Sequence, residues 1–130
     1  MIYLHSSALM KLIRAETETV PLQAWLRSRG EVAVVTSELS RVEVLRAARR
    51  ASDAALVGPR TVMGGVDFVP LDQGVRDLAC EIGEPLLRTL EALHLASAVL
   101  VRDELTAFVA YDHRLTHAAR SAGLPVAIPS

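Results

Sequence analysis

The chain has 130 residues, 51% of them hydrophobic and 22% charged, with a formal net charge of −1. This is the composition of one compact α/β-sized domain, and it excludes disorder, a long apolar membrane span and a strongly basic nucleic-acid-coating protein. Cys80 is the single cysteine and cannot pair within the chain, which argues against a disulfide-stapled secreted domain and for a cytoplasmic location.

In chain order, Ile2-Tyr3-Leu4 reads as a short strand that turns at Ser6-Ser7 straight into a helix ending near Ile13. A second helix is predicted from about Pro21 to Arg29, with Gly30 as its stop. Val32 to Val35 reads as a buried strand, and Thr36 or Ser37 as the cap of a helix from Glu38 to about Arg50. Ser52-Asp53 start another helical stretch that is disturbed at Gly58-Pro59 and closed at Gly64-Gly65. A strand follows at Asp67–Leu71, and Asp72 is placed to cap a helix ending at Gly83. The remaining elements are a long helix from Thr89 to about Asp103, a strand at Ala107–Ala110, a helix from His113 to Ala122 stopped by Gly123, and a strand at Pro125–Ile128. The strands are continuous apolar runs alternating with helices, the pattern of a mainly parallel sheet covered on both faces: a three-layer α/β/α domain.

In such a sheet, sites gather beyond the carboxyl ends of the strands. His5 ends the first strand and Asp112 follows the Ala107–Ala110 strand. Glu43 shares a helix side with Leu39, Val42 and Ala47, and Glu91 lies on a stripe with Leu87, Leu95 and Ala98. Inward-facing carboxylates need a cation, so each glutamate meets either a metal ion or an arginine, with Arg46 and Arg88 as the available partners. Asp112 can equally cap the last helix, and His5 can be a hydrogen-bonded core residue. His94 reads as a packing residue, His113 and His117 as solvent-facing, and Cys80 as a small core residue. Arginine dominates the basic residues, with Lys11 the only lysine, and it suits bidentate phosphate contacts. A GC-rich genome gives the same bias, so charge alone decides nothing.

The order of the motifs is more specific than any one residue. Met1-Ile2-Tyr3-Leu4-His5-Ser6-Ser7-Ala8-Leu9 resembles the opening of the PIN-domain ribonucleases, an apolar strand followed by Asp-Thr/Ser-Ser-Ala. The run from Ser37 to Ala47 is similar to the family's second block, with Glu43 at the metal-site glutamate. Leu90-Glu91-Ala92-Leu93-His94-Leu95-Ala96 resembles the third block, and Tyr111-Asp112 with Leu115, Ala118 and Gly123-Leu124-Pro125-Val126 the fourth. Four blocks in order across residues 1–130 identify a single PIN domain, similar to the VapC toxins of VapBC toxin–antitoxin systems.

That resemblance implies Mg²⁺- or Mn²⁺-dependent cleavage of structured RNA (tRNA or rRNA), with His5, Glu43, Glu91 and Asp112 as the catalytic and metal-binding positions. It also implies a VapB-type antitoxin partner and a homodimer. Ser7 would orient a metal ligand or a bound phosphate, and Arg46 would serve as a second contact to phosphate or to Glu43. Two departures stand out. Glu91 holds a position where the family usually has aspartate. His5 replaces an aspartate, removing a charge and exchanging a hard oxygen ligand for an imidazole nitrogen that suits Mn²⁺, Zn²⁺ or Ni²⁺ better than Mg²⁺. The expectation is therefore a weakened or inactive ribonuclease, and its rival is a catalytically dead PIN domain that still binds antitoxin or RNA. A receiver-like phosphoacceptor lacks the adjacent acids after the first strand, and a nucleotide-binding fold lacks its glycine-rich loop.

Overall fold

The computed structural model describes residues 1–51 and 57–130. Five short strands, β1 (Ile2–Leu4), β2 (Val34–Ser37), β3 (Asp67–Val69), β4 (Ala107–Val109) and β5 (Val126–Ala127), form one sheet in the order β3-β2-β1-β4-β5. Every neighbouring pair is parallel; Ile2 faces Val34 on one side and Ala107 on the other. Among the described residues seven α-helices connect them: α1 (Ser6–Ile13), α2 (Thr19–Ser28), α3 (Glu38–Ala51), α4 (Val57–Met63), α5 (Gln73–Ala79), α6 (Thr89–Leu100) and α7 (His113–Ser121).

Alternation along the strands explains the two-sided core. Tyr3, Val35 and Phe108 turn to one face, where they meet Val75 of α5, Leu95 of α6 and Leu115 of α7. Ile2, Leu4 and Val109 turn to the other, against Leu9 of α1, Leu22 of α2, Val44 of α3 and Met63 of α4. Because both faces are covered, the strands carry apolar residues at successive positions, and the three-layer α/β/α reading holds.

The element boundaries shift where polar residues complicate the pattern. β2 runs two residues later than Val32–Val35: the exposed Val32 stays outside, while Thr36 and Ser37 are fully buried within the strand. Their hydroxyls find partners, Thr36 Oγ1 with Ser40 Oγ at 2.8 Å and Ser37 Oγ accepting the Leu39 N–H at 3.1 Å, so Ser37 also caps α3. The helix from Asp72 ends at Ala79 rather than Gly83, which turns with φ +77°. α6 stops at Leu100, and a separate 3-10 turn, Arg102–Glu104, takes up the rest of the expected helix. The second helix starts at Thr19, two residues before Pro21. Cys80, expected in the core, is exposed. The start at Ser52-Asp53 lies outside the described residues.

Candidate functional site at the carboxyl edge of the sheet

Chain order reverses direction across the sheet between β1 and its neighbour β4, so the carboxyl ends of these two strands border the natural crevice. β1 delivers His5 there, its N–H donating to Val109 O at 2.9 Å, and β4 leads into Tyr111-Asp112. His5 caps α1: its Nδ1 accepts the Ser7 N–H at 3.2 Å. Ser7 Oγ accepts the Tyr111 N–H at 2.9 Å, which leaves its own hydrogen for His5 Nδ1 at 2.8 Å. With Nδ1 accepting from both groups, the neutral ring carries its hydrogen on Nε2. Burial and the neighbouring His94 lower the His5 pKa from 6.5 to about 3, against the opposing pull of Glu43 and Asp112. The ring is therefore neutral at physiological pH.

Glu43 stands half-buried on α3. Its Oε1 accepts from Ser6 Oγ at 2.8 Å and from His94 Nε2 at 2.6 Å. Ser6 Oγ also lies 3.0 Å from Ser40 Oγ; since a carboxylate only accepts, the Ser6 hydrogen belongs to Glu43 and the chain of hydroxyls continues back through Ser40 to Thr36. Burial raises the Glu43 pKa, but the hydrogen bond and charge of His94, the Ser6 hydroxyl and His5 outweigh it, so the carboxyl lies below its usual value. The side chain facing Glu43 is His94, not Arg46, whose side chain is exposed.

His94, read from sequence as packing, is the largest omission. It is 1% exposed, its Nδ1 is 3.5 Å from the Tyr3 hydroxyl, and its ring meets that of His5 edge-on at 4.4 Å between centroids. The signal was present: His94 follows Glu91 by three residues and precedes Ala98 by four, so helical spacing puts it on the same inward stripe.

The remaining expected ligands are engaged locally. Asp112 Oδ1 caps α7 by accepting the Leu115 N–H at 3.1 Å, while its charge still reaches His5. Glu91 Oε2 accepts the Arg88 N–H at 3.2 Å, holding the carboxylate at the start of its own helix. The structure thus brings His5, Glu43 and His94 together with Asp112 nearby, and ties Glu91 to the start of α6. Among the described residues, no three histidine, cysteine or acidic side chains are gathered as they would be around a metal ion. Among the described residues, Glu43 and Asp112 each keep one oxygen without a hydrogen bond, a donor chemistry that fits a divalent ion. At position 5, by contrast, an N–H takes the place of a third oxygen. The set fits such an ion incompletely: position 5 offers no oxygen, and Glu91 is held at the start of α6. His113 and His117 are exposed.

Residues 2–121 match the family model of the PIN domain. The ribonuclease VapC47 of Mycobacterium tuberculosis is 44% identical over 133 residues, covering 99% of this chain and 97% of that protein. Two solved structures share the fold, each at a TM-score of 0.70. VapC20 of M. tuberculosis, described as a sarcin-ricin loop cleaving toxin, is 17% identical and covers 91% of this chain and 95% of its own. The VapBC2 complex of Rickettsia felis, bound to a promoter DNA fragment, is 11% identical and covers 100% of both chains. The chain belongs to the PIN-domain family, among its VapC-type members.

Proposed function

We propose that this chain is a toxin-type endoribonuclease whose Mg²⁺- or Mn²⁺-dependent cleavage of structured RNA, tRNA or rRNA, is weakened by His5. The observation that carries the reading is the approach of Glu43 and Asp112 to His5 where β1 and β4 end, the crevice in which an open parallel sheet binds its ligands. The ribonuclease name of VapC47 and the ribosomal-loop cleavage named for VapC20 support the reaction class. Glu43 and Asp112 would hold the ion, and Glu91 would join them only by giving up the Arg88 N–H. A bound Mg²⁺ or Mn²⁺ supplies Lewis acidity toward the phosphodiester and a more acidic water. His5 contributes neither charge nor a free lone pair at Nε2, so ion affinity falls at that position.

The toxin–antitoxin complex of R. felis supports a VapB-type antitoxin as partner, and a second copy of the chain is proposed as the other. Leu86 and Leu90 are 93% and 52% exposed, the kind of apolar surface a partner covers. Among the described residues no helix is long and apolar enough to cross a membrane, in keeping with action in the cytoplasm. The second reading, a catalytically silent module that binds RNA or antitoxin, is favoured by one observation: the acceptor bonds at His5 Nδ1 leave Nε2 protonated.

Cleavage of total RNA, tRNA and synthetic stem-loops by the parent chain and by His5→Asp separates the two. The ribonuclease reading expects weak or no cleavage by the parent and metal-dependent cleavage by the variant. A variant that binds divalent ions yet cuts none of these RNAs leaves the binding module.

A further inference from the structure

We infer that His94 is a positioning residue, whose Nε2–H holds the Glu43 carboxylate so that one oxygen stays open to a ligand. This rests on the reading of the site given above and adds a residue to it. His94 belongs to α6 and Glu43 to α3, 51 positions apart in sequence, yet their side chains meet at 2.6 Å. A histidine that merely filled the core would not need to reach a half-exposed carboxylate on another helix. Here the ring is 1% exposed while the Glu43 side chain is 31% exposed, so the imidazole is the enclosed partner and the carboxylate the one that reaches solvent.

The geometry of the acceptor gives the role its content. Both donors to Glu43, His94 Nε2 and Ser6 Oγ, meet the same oxygen, Oε1, and among the described residues Oε2 receives none. Two donors on one oxygen, arriving from α6 and α1, fix where the carboxylate sits and leave Oε2 free. Without them a glutamate with rotatable side-chain bonds swings toward water and loses rotamer entropy each time it is recruited. The ring is itself held at both ends. Nδ1 faces the Tyr3 hydroxyl at 3.5 Å, and the edge contact with His5 at 4.4 Å sets its tilt. An imidazole that orients a carboxylate in this way is an outer support of a ligand site, and loss of such a support typically lowers ion affinity or activity about 10–100-fold.

The test uses the full chain carrying His5→Asp, with His94 retained or replaced by glutamine, asparagine or phenylalanine. Glutamine places an amide N–H near the position of Nε2. Asparagine is too short to reach Glu43, and phenylalanine keeps the ring without the donor. Mn²⁺ affinity by calorimetry is read alongside RNA cleavage at saturating Mn²⁺, with circular dichroism reporting the fold. The inference expects glutamine to stay within about threefold of the parent in Mn²⁺ affinity, and asparagine and phenylalanine to lose about tenfold or more with the fold retained. If all three folded variants bind Mn²⁺ alike, or if glutamine loses as much as phenylalanine, the inference is overturned. If neither asparagine nor phenylalanine yields a folded protein, His94 is structural and the inference is overturned as well. Failure of His5→Asp with His94 intact to bind Mn²⁺ is a distinct result: it rejects the reading of the site, and the inference with it.

Discussion

Replacing Ser7 with alanine removes one oxygen that joins the ends of two strands. Ser7 Oγ accepts the Tyr111 N–H at 2.9 Å and donates to His5 Nδ1 at 2.8 Å, while the backbone N–H of residue 7 continues to donate to His5 Nδ1 at 3.2 Å. Two hydrogen bonds are lost at about 0.5–1.5 kcal/mol each, and the part-buried Tyr111 N–H is left without its acceptor, a penalty of about 1–3 kcal/mol that overlaps with the first. Alanine returns a few tenths of a kcal/mol, roughly, through its higher helix propensity. The net expectation is a loss of about 2 kcal/mol. With an unfolding entropy of about 2.1 cal/mol/K per residue, this lowers the Tm by roughly 7 °C. Thermal unfolding followed by circular dichroism measures the shift, and amide exchange locates it: Tyr111 should exchange faster. An unchanged Tm together with an unchanged Tyr111 amide refutes the role given to Ser7.

Three further expectations follow from the same contacts. Glu43→Ala leaves His94 Nε2 and Ser6 Oγ without their acceptor and should cost about 2–3 kcal/mol in urea unfolding, whereas Glu43→Gln keeps an acceptor oxygen and should cost about half as much; equal losses would mean the charge alone matters. Stability should also fall on acidification. The His5 ring titrates near 3 when folded and near 6.5 when unfolded, so between these values the unfolded chain binds the extra proton. Stability is fully present above about pH 6.5 and declines toward pH 3 with a slope of at most about 1.4 kcal/mol per unit. The lowered Glu43 carboxyl adds a loss of the same sign below its ordinary value of 4.5. A His5→Gln variant with the same stability–pH profile as the parent contradicts this assignment. Finally, the purified chain should sediment as a dimer at micromolar concentration, and a stable monomer would remove the second copy from the proposed partners.

Much of the fold was legible because its signals are local and apolar. Ile2-Tyr3-Leu4 and Ala107-Phe108-Val109 are runs that only a sheet covered on both faces accommodates, and Asp72 and Asp112 cap α5 and α7 as their positions foretold. The boundaries failed where polarity and burial part company. Thr36 and Ser37 look like a helix start, but they are buried strand residues because Ser40 accepts the Thr36 hydroxyl and Ser97, distant in sequence, donates to Ser37 Oγ. Cys80 has the chemistry of a core residue and sits on the surface. At the site, the strand ends placed His5 and Asp112 side by side, and the resemblance of the second block added Glu43 to them. The partner of Glu43 could not, because helical spacing says that a side chain turns inward and not which element it will meet. His94 turns inward beside leucines and finds a carboxylate from another helix. Glu91 shares the inward stripe yet is drawn back to Arg88 N by the unpaired donors at the helix start, a local contest that periodicity does not register.

His5, in place of the family's aspartate, is the proposed reason that this site holds a divalent ion weakly. Calorimetric titration of Mn²⁺ into the parent chain and into His5→Asp, side by side and without RNA, tests it most directly. The parent should show little or no saturable binding. His5→Asp should bind at least about tenfold tighter, with a Tm that rises on adding Mn²⁺ and falls back with EDTA. Equal affinities in the two proteins, or no binding by His5→Asp, would contradict it.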